Sequence, residues 1–541
     1  MVRSFFSITI ILIFFILNAL ILYLLRIDPD GEYEGIHLPT TPGTVTYILI
    51  DGLSQSIFES ECLQGNLPHI QSLSKRSTYV KDGIGSFPSM TGYAFYPFIT
   101  GIDASDSGIY GLRWFDRKRT IGNLRNYVGR TNIHMNSDVR TDRETIFEKY
   151  ADFYTASINT YMNKGVHHSL KTGWAHTTAK YEGFSLFPAL RIFPIIGKKI
   201  AKNHFEHESL VTDLAIRQLK KNPKVQWITY PSLDAYTHIH GIDSTYHRLL
   251  YHLDNQIGRI VEAIESEGQS DRMIAVITDH GVSSVHTNID IVALLNNELA
   301  LDLIRGPATH LDTDQLETPL STFQDKDGYF VINGNQCAYL YFKEPGEKNP
   351  ESWAQKLTPN KITTYKGKNI ASFLANVEGV DIVAYPAAQD SIVILKKDRQ
   401  ALVTYYPDSG YKYTTSGSDP LYKEGVFHTD SIYTEEELLV LSLETEYPYA
   451  IPRLFQLLTK NESPDLVLTS MPGYDLASDY ELIVGNYKGG HGGIRQEVIQ
   501  VPYIIYQPGK KPAVIQTALS EEIGEMVLGY LGQFEKGELS R

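Results

Sequence analysis

Short apolar runs alternate with helical periods along most of this chain. Three early runs have the character of buried strands: Val45–Ile50, Val225–Tyr230 and Met273–Ile277. Between the second and the third, the segment Asp243–Glu267 places apolar residues at a helical period. Because uninterrupted apolar strands that alternate with helices form sheets covered on both sides, the pattern predicts an α/β fold with a mostly parallel central sheet and helices on both faces.

The second half of the chain continues the strand pattern less regularly. Late strands are predicted at Val380–Tyr385, Asp465–Thr469 and Val501–Tyr506, and Ser391–Lys396 with Gln400–Tyr405 is typical of a hairpin. The ranges 118–200 and 405–460 interrupt the alternation, so we expect insertions there that could act as lids. The pattern as a whole predicts one large α/β domain over residues 45–541.

The N-terminal segment is the strongest departure from average composition. Phe5–Leu25 contains no charged residue, and its 21 positions would span roughly 31 Å as a helix, close to the bilayer core of about 30 Å. We therefore expect an uncleaved transmembrane anchor at residues 1–25 and a tether at 26–44, with a cleaved signal peptide as the alternative. A single span favours a catalytic domain outside the cytoplasm.

Overall charge and cysteine content exclude some classes of protein. The formal net charge of −14 argues against a general nucleic-acid-binding protein, which needs a basic surface. Cys62 and Cys337 are the two cysteines of the chain, too few for a disulfide framework or a cysteine-based zinc module. Whether these two cysteines pair, and whether the chain forms oligomers, stays open at this stage.

Polar residues with metal-ligand chemistry follow the early strands. Asp51, Asp234 and the pair Asp279-His280 lie at or just beyond predicted strand ends, where α/β sheets bind their ligands. If the turn after Val225–Tyr230 is helical, Asp234 and His238 lie on one face and form a carboxylate–imidazole pair. A helix-capping aspartate and a surface histidine are the simpler alternative.

Two further features add candidate site residues. His491 lies within Gly489–Gly493, where glycines let the backbone approach a ligand closely, although a plain flexible loop has the same composition. Thr91 precedes an apolar stretch that ends at Thr100-Gly101 and is expected to be a helix beginning near Thr91, kinked at Pro97. A hydroxyl at a helix N-terminus is suited to an anion, or is simply a helix cap.

The order of these residues resembles the alkaline phosphatase superfamily, and within it the nucleotide pyrophosphatase/phosphodiesterase branch. The resemblance covers about residues 45–510: an Asp, then a Thr, then Asp-x-x-x-His, Asp-His-Gly and a late Gly-His-Gly. It implies metal-dependent hydrolysis of a phosphodiester or pyrophosphate through a covalent phosphothreonine. The implied metal ligands are Asp51, Thr91, Asp279 and His280 for one divalent ion, and Asp234, His238 and His491 for the other.

The resemblance also implies which hydroxyl attacks and which metal binds. Thr91 stands nine residues before Thr100-Gly101, the family's spacing for its nucleophile, whereas Ser86 and Ser89 are alternatives. Zinc suits the His–carboxylate set, with manganese as a second candidate. The chain departs from the family at Leu112, where an Asn is usual, and the neighbouring Arg113 is a candidate phosphate-binding residue or an ordinary surface arginine.

Several functions share this arrangement of residues. Phosphomonoester hydrolysis uses the same core, and phosphotransfer to an envelope lipid or glycan would suit a site tethered at a membrane. An inactive membrane-tethered binding protein is a further alternative. Sulfatases are excluded because Cys62 lacks the sequence that they modify. The expected partners are a phosphoester substrate and, through the N-terminal segment, a membrane.

Overall fold

The structure is a computed structural model that describes residues 42–118, 124–128, 134–170, 172, 203–305, 325–347, 350–476 and 487–535. The predicted anchor (residues 1–25) and most of the tether (26–44) lie outside the described residues. Among the helices of the described ranges, none combines the length and the apolar character that a membrane span needs.

Strands and helices alternate over the first three hundred residues, and strands predominate after them. The strands, in chain order, are β1 (Thr44–Ile50), β2 (Thr78–Ile84), β3 (Arg113–Phe115), β4 (Leu124–Asn126), β5 (Thr155–Ile158), β6 (His168–Leu170), β7 (Val225–Tyr230), β8 (Arg272–Thr278), β9 (Ser283–Asn288), β10 (Leu303–Arg305), β11 (Gly328–Ile332), β12 (Cys337–Phe342), β13 (Val380–Ala388), β14 (Ser391–Lys396), β15 (Arg399–Tyr406), β16 (Gly410–Ser416), β17 (Ser431–Tyr433), β18 (Leu466–Ser470), β19 (Gly473–Asp475), β20 (Gly489–Gly490), β21 (Gln500–Tyr506) and β22 (Ala513–Leu519). The helices are α1 (Gln55–Leu63), α2 (Pro68–Ser74), α3 (Tyr96–Thr100), α4 (Met135–Asp138), α5 (Ile146–Lys149), α6 (His204–Leu219), α7 (Ser232–His240), α8 (Ser244–Ser266), α9 (Ile291–Leu299), α10 (Pro359–Thr363), α11 (Ile370–Ala375), α12 (Glu435–Ser442), α13 (Ala450–Leu458), α14 (Gln496–Ile499) and α15 (Ser520–Glu535).

The central sheet has the strand order β22-β2-β21-β8-β1-β7-β5-β6. Its neighbours run parallel except at β21, which is antiparallel to both β8 and β2. Alternate residues of β1 point to opposite faces, with Tyr47 and Leu49 in one core and Ile48 and Ile50 in the other. Helices α1, α2, α6 and α8 pack on the second of these faces, and α3 and α15 on the first. The predicted mostly parallel sheet covered by helices is therefore confirmed.

A second, nine-stranded sheet was not predicted from the sequence. Its order is β10-β11-β12-β18-β13-β14-β15-β16-β17, and every pair except β10 with β11 is antiparallel. The late strands expected at Val380–Tyr385 and Asp465–Thr469 belong to this sheet, whereas Val501–Tyr506 lies in the central sheet. The expected hairpin is confirmed as β14 and β15, joined through Lys397, which has a positive φ.

Both ranges expected to be insertions contribute to the folded core in their described parts. Within 118–200, β5 and β6 extend the edge of the central sheet. Within 405–460, β16 and β17 extend the second sheet, and the buried Arg453 of α13 donates to Glu521 at 2.9 Å. A lid role for either range, and the proposed domain limits, stay predictions.

The helix expected to begin near Thr91 begins later. Thr91 and Gly92 form a turn, a 3₁₀ turn covers Tyr93–Phe95, and α3 begins at Tyr96. Gly92 has a φ of +84°, outside the helical region, which separates Thr91 from the helix. Pro97 consequently lies in the first turn of α3, where its missing N–H is not needed, and it does not kink a helix.

The two cysteines are both free. Cys62 lies near the end of α1, and Cys337 begins β12 in the second sheet. No disulfide therefore joins them in the structure.

Candidate active site

Three neighbouring strands of the central sheet bring the acidic residues together. Asp51 directly follows β1, and Asp279 with His280 directly follows β8. Asp234 lies in the first turn of α7, which comes after β7. Because β1 pairs in parallel with both β7 and β8, the three carboxylates meet at one edge of the sheet, as the sequence pattern predicted.

Thr91 is positioned against this edge by the turn that precedes α3. Its Oγ1 lies 2.9 Å from Nε2 of His280 and donates to Oδ1 of Asp51 at 3.3 Å. The turn therefore presents the Thr91 hydroxyl to a buried aspartate and a buried imidazole.

The two alternative hydroxyls are placed differently. The Ser89 hydroxyl donates to the carbonyl of Gly493 at 2.8 Å and accepts from the N–H of Gly492 at 3.0 Å, so it binds the glycine-rich loop. The Ser86 hydroxyl is buried and has no hydrogen-bond partner within the described part of the chain. This geometry supports Thr91 as the reactive hydroxyl, an assignment that stays a prediction.

Two buried groups of side chains could each hold a metal ion. Possible ligand atoms of Asp51, Asp279 and His280 lie within 4.8 Å of one another, and so do those of Asp234, His280 and His491. His238, which the resemblance assigned to the second ion, belongs to neither group, but its Nε2 lies 3.2 Å from Oδ2 of Asp234. The predicted helical pairing of Asp234 and His238 is thereby confirmed.

The three imidazoles share one hydrogen-bonding pattern. In each of them Nδ1 lies close to a main-chain carbonyl oxygen: 3.1 Å from Gly489 for His238, 3.0 Å from Gly281 for His280 and 2.8 Å from Ser89 for His491. Because a carbonyl can only accept, this nitrogen carries the hydrogen, and Nε2 presents its lone pair to the carboxylates. The same arrangement orients metal-binding histidines in general.

Burial keeps the rings of His280 and His491 in the neutral form that binds metals. It lowers the pKa of His280 to about 4 and that of His491 to about 3. Both imidazoles are therefore neutral near pH 7, which leaves the lone pair of Nε2 available. The rings of His280 and His491 stack with their centroids 3.8 Å apart.

Asp279 and Asp234 have carboxylate oxygens whose buried charge is not fully compensated by hydrogen bonds. Burial, reinforced by the charge of Asp279, raises the pKa of Asp51, and burial together with Asp234 raises the pKa of Asp279. Both oxygens of Asp279 and Oδ1 of Asp234 are buried and have no well-formed hydrogen bond with the described residues, although the nearby main-chain N–H groups of His280 and Gly52 lower the pKa of Asp279 and so offset part of its burial. A nearby cation would supply the missing compensation, so the residues present fit two divalent metal ions.

Two residues that the sequence analysis missed support the site. Glu208 of α6 is buried and accepts from the N–H of Ser232 at 2.9 Å, which anchors the first turn of α7 where the N-cap is Pro231. Burial raises the pKa of Glu208 to about 8. Asn335 accepts from the N–H of His491 at 3.2 Å. The Asn-Gly-Asn turn at 333–335 was a visible signal, but its partner lies more than 150 positions away.

Arg113, the candidate phosphate-binding residue, begins β3 and is buried. Its guanidinium donates to the carbonyl of Ile332 at 3.2 Å, and its main-chain N–H donates to Oδ1 of Asn333 at 3.0 Å. These contacts join Arg113 to the turn that also contacts the His491 loop. A role in substrate binding stays a prediction.

Solved structures of phosphoester and phosphonate enzymes share this fold. Murine ectonucleotide pyrophosphatase/phosphodiesterase 5, in an inactive form in complex with AMP, aligns with a TM-score of 0.52 at 12% identity over 91% of this chain and 95% of that one. The human protein of the same name gives 0.51 and 11% over 90% and 95%. Phosphonoacetate hydrolase from Sinorhizobium meliloti, in complex with phosphonoacetate, gives 0.51 and 14% over 92% and 98%. No curated protein sequence matches the chain.

The two buried Asp/His groups lie at the carboxyl ends of parallel strands of an α/β sheet, where such sheets bind their ligands. The family model for type I phosphodiesterase / nucleotide pyrophosphatase matches residues 45–494, which is most of the chain. The chain therefore belongs to the type I phosphodiesterase/nucleotide pyrophosphatase family, within the alkaline phosphatase superfamily.

Substitution of Asp279 by Asn should stabilise the metal-free protein. In chelator-treated protein the Asp279→Asn variant should unfold at a temperature about 1–3 °C higher than wild type (about 1 °C per kcal/mol for a domain of this size), because the amide removes a poorly compensated buried charge beside Asp51. Differential scanning calorimetry measures the difference.

The matched control is Asp254→Asn. Asp254 is also fully buried, but its carboxylate accepts from the N–H groups of His69 at 3.2 Å and Ile70 at 2.8 Å, so this substitution should lower the unfolding temperature. Equal effects of the two substitutions would contradict the interpretation of Asp279 as a poorly compensated charge.

Proposed function

We propose that this protein hydrolyses a phosphodiester or a pyrophosphate through a covalent phosphothreonine at Thr91, in a site that holds two divalent metal ions. The observation that carries the proposal is the position of the Thr91 hydroxyl, 2.9 Å from Nε2 of His280 and 3.3 Å from Oδ1 of Asp51. A hydroxyl in contact with two of the three members of a candidate metal-binding group is placed as a nucleophile would be.

The proposed ligand sets are those that the resemblance implies, and the two groups of buried side chains support them in part, since His280 belongs to both groups and His238 to neither. Asp51, Thr91, Asp279 and His280 would hold one ion, and Asp234, His238 and His491 the other. Zinc is the first candidate because neutral imidazoles and carboxylates are its usual ligands, and manganese is the second. When bound, the ions would lower the pKa of the Thr91 hydroxyl and offset the charge of the phosphoryl group, in a chain whose net charge is −14.

The chain's own residues then account for two displacements. In the first, the Thr91 oxygen forms a bond to phosphorus and the hydroxyl proton passes to solvent. The bond from phosphorus to the leaving oxygen breaks, and that oxygen departs and takes up a proton from solvent. In the second, water attacks phosphorus and the bond to Thr91 breaks, which restores the hydroxyl. His280 and Asp51 hold the Thr91 oxygen in place through both steps.

A nucleotide or a related phosphoester is the substrate class that the comparisons favour. One similar structure holds AMP and another holds phosphonoacetate. Both ligands carry a phosphorus group bonded to an organic moiety, which is the feature that the proposed Thr91 attack requires.

An aryl ester assay tests the proposal. The protein should hydrolyse bis(p-nitrophenyl) phosphate faster than p-nitrophenyl phosphate, lose both activities in a chelator, and recover them with zinc or manganese. Turnover that survives chelation, or no turnover of any ester after metal addition, would refute the metal-hydrolase proposal. A preference for the monoester would indicate a phosphomonoesterase, and label transferred to a lipid or glycan with little release to water would indicate a phosphotransferase.

Substitution of the nucleophile gives a sharper prediction. Thr91→Ala should lower kcat by at least about 10³-fold, because no other hydroxyl of the described residues contacts Asp51 or His280 to replace the attacking oxygen. Ser86→Ala is the matched control, since its hydroxyl is also buried but has no partner in the described site. A phosphoprotein trapped by acid quench should appear in wild type and be absent in Thr91→Ala. Loss of turnover in Ser86→Ala with activity retained in Thr91→Ala would assign the nucleophile to Ser86.

We also propose that Phe5–Leu25 anchors the enzyme as a single-pass membrane protein with its catalytic domain outside the cytoplasm. The support is the uncharged length of this segment. The full chain should sediment with membranes and be released by detergent but not by alkaline carbonate, whereas a chain that begins at Gly43 should stay in the supernatant. Carbonate release of the full chain would contradict the anchor.

A further inference from the structure

The turn between β11 and β12 meets the glycine-rich loop that carries His491. Added Cβ atoms at three glycines would collide with the opposite backbone or side chain: Gly490 with Oδ1 of Asn335, Gly492 with the carbonyl of Asn333, and Gly334 with the carbonyl of His491. The N–H of Gln336 also donates to the carbonyl of His491 at 2.9 Å. The second sheet therefore contacts the metal-ligand loop through backbone packing that leaves no room for side chains.

Asn335 lies at the centre of this contact and is 1% exposed. Its side-chain Oδ1 accepts from the N–H of His491 at 3.2 Å, and its Nδ2 donates to the carbonyl of Gly489 at 3.4 Å. Its own carbonyl accepts from the N–H of Leu476 at 2.8 Å, which fixes its backbone. The side-chain amide of Asn335 thus forms hydrogen bonds with the main chain of both Gly489 and His491.

The Gly489 carbonyl has a second donor. Nδ1 of His238 lies 3.1 Å from the same oxygen, so the carbonyl that Asn335 holds also fixes the orientation of the His238 ring. Asn335 therefore contacts the main chain of His491 directly, and it contacts His238 indirectly through the Gly489 carbonyl.

We propose that Asn335 is a positioning residue that orients both imidazoles of the second proposed ligand set, His238 and His491, towards Asp234. This inference rests on the two-metal site of the proposed function. Partners that orient histidine ligands typically change metal affinity by about 10–100-fold when they are removed. Asn suits the position because its amide supplies one acceptor for an N–H and one donor for a carbonyl, which Asp and Leu do not.

Asn333 offers a matched control within the same turn. It is also buried, but its amide is bonded to the main chain of Arg113, donating to that carbonyl at 2.8 Å, instead of to the His491 loop. Asn335→Ala and Asn333→Ala therefore remove the same chemical group from the same turn, and only the first removes a contact to the metal-ligand loop.

Zinc binding by the chelator-treated full chain tests the proposal, measured by equilibrium dialysis in metal buffers. Wild type should bind two ions, Asn335→Ala should bind one of the two about 10–100-fold more weakly, and Asn333→Ala should bind both as wild type does. With cobalt in place of zinc, the visible spectrum should change in Asn335→Ala and not in Asn333→Ala. If Asn335→Ala does not fold, Asn335→Ser replaces it with the same expectation, because a single hydroxyl cannot serve both main-chain groups.

Other outcomes overturn the proposal. Wild-type affinities for both ions in Asn335→Ala would show that the amide does not position the imidazoles. Equal weakening by the two variants would show a general structural role of the turn. A wild-type protein that binds two ions but hydrolyses no ester would refute the proposed function and leave this inference standing, whereas a wild type that binds no metal would refute both.

Discussion

The crowding of three aspartates at one edge of the central sheet is the constraint on which the site depends. Because β1 lies between β7 and β8 in parallel register, Asp51, Asp234 and Asp279 converge wherever the fold forms. Like charges that are buried together cost free energy unless cations or protons compensate them. The imidazoles turn Nε2 towards the carboxylates, and several carboxylate oxygens have no well-formed hydrogen bond with the described residues. This arrangement favours metal binding and lowers the stability of the metal-free protein.

The second sheet completes this edge from outside the central sheet. Its β11–β12 turn contacts the His491 loop at one point, and Arg495 anchors the loop at another, donating to the Tyr447 hydroxyl at 2.9 Å and lying 3.4 Å from the buried Asp381 of β13. The loop that carries His491 is thus held at both ends by elements of the second sheet. Glycine supplies the close approach, and the hydrogen bonds supply the orientation.

Local patterns in the sequence were sufficient for four of the eight strands of the central sheet, β1, β7, β8 and β21, and for the candidate residues that follow the first three of them. Strand ends and the four-residue spacing of Asp234 and His238 are local properties, so they could be predicted without knowledge of distant contacts. The antiparallel second sheet and the roles of Asn335 and Glu208 could not, because each depends on partners far away in sequence. The predicted start of α3 at Thr91 was wrong. Gly92 has a positive φ and Pro97 lies in the first turn of the helix, and the spacing of apolar residues does not show this boundary.

The one antiparallel strand of the central sheet has a consequence for biosynthesis. β2 pairs only with β21 and β22 among the described strands, and β21 is what joins β2 to β8. At about 5–20 residues per second, the ribosome makes β2 many seconds before residues 500–519 emerge. Throughout that interval, an early strand stays without its hydrogen-bonding neighbours and open to pairing with other chains. The order of synthesis therefore delays closure of the sheet until residues 500–519 have emerged.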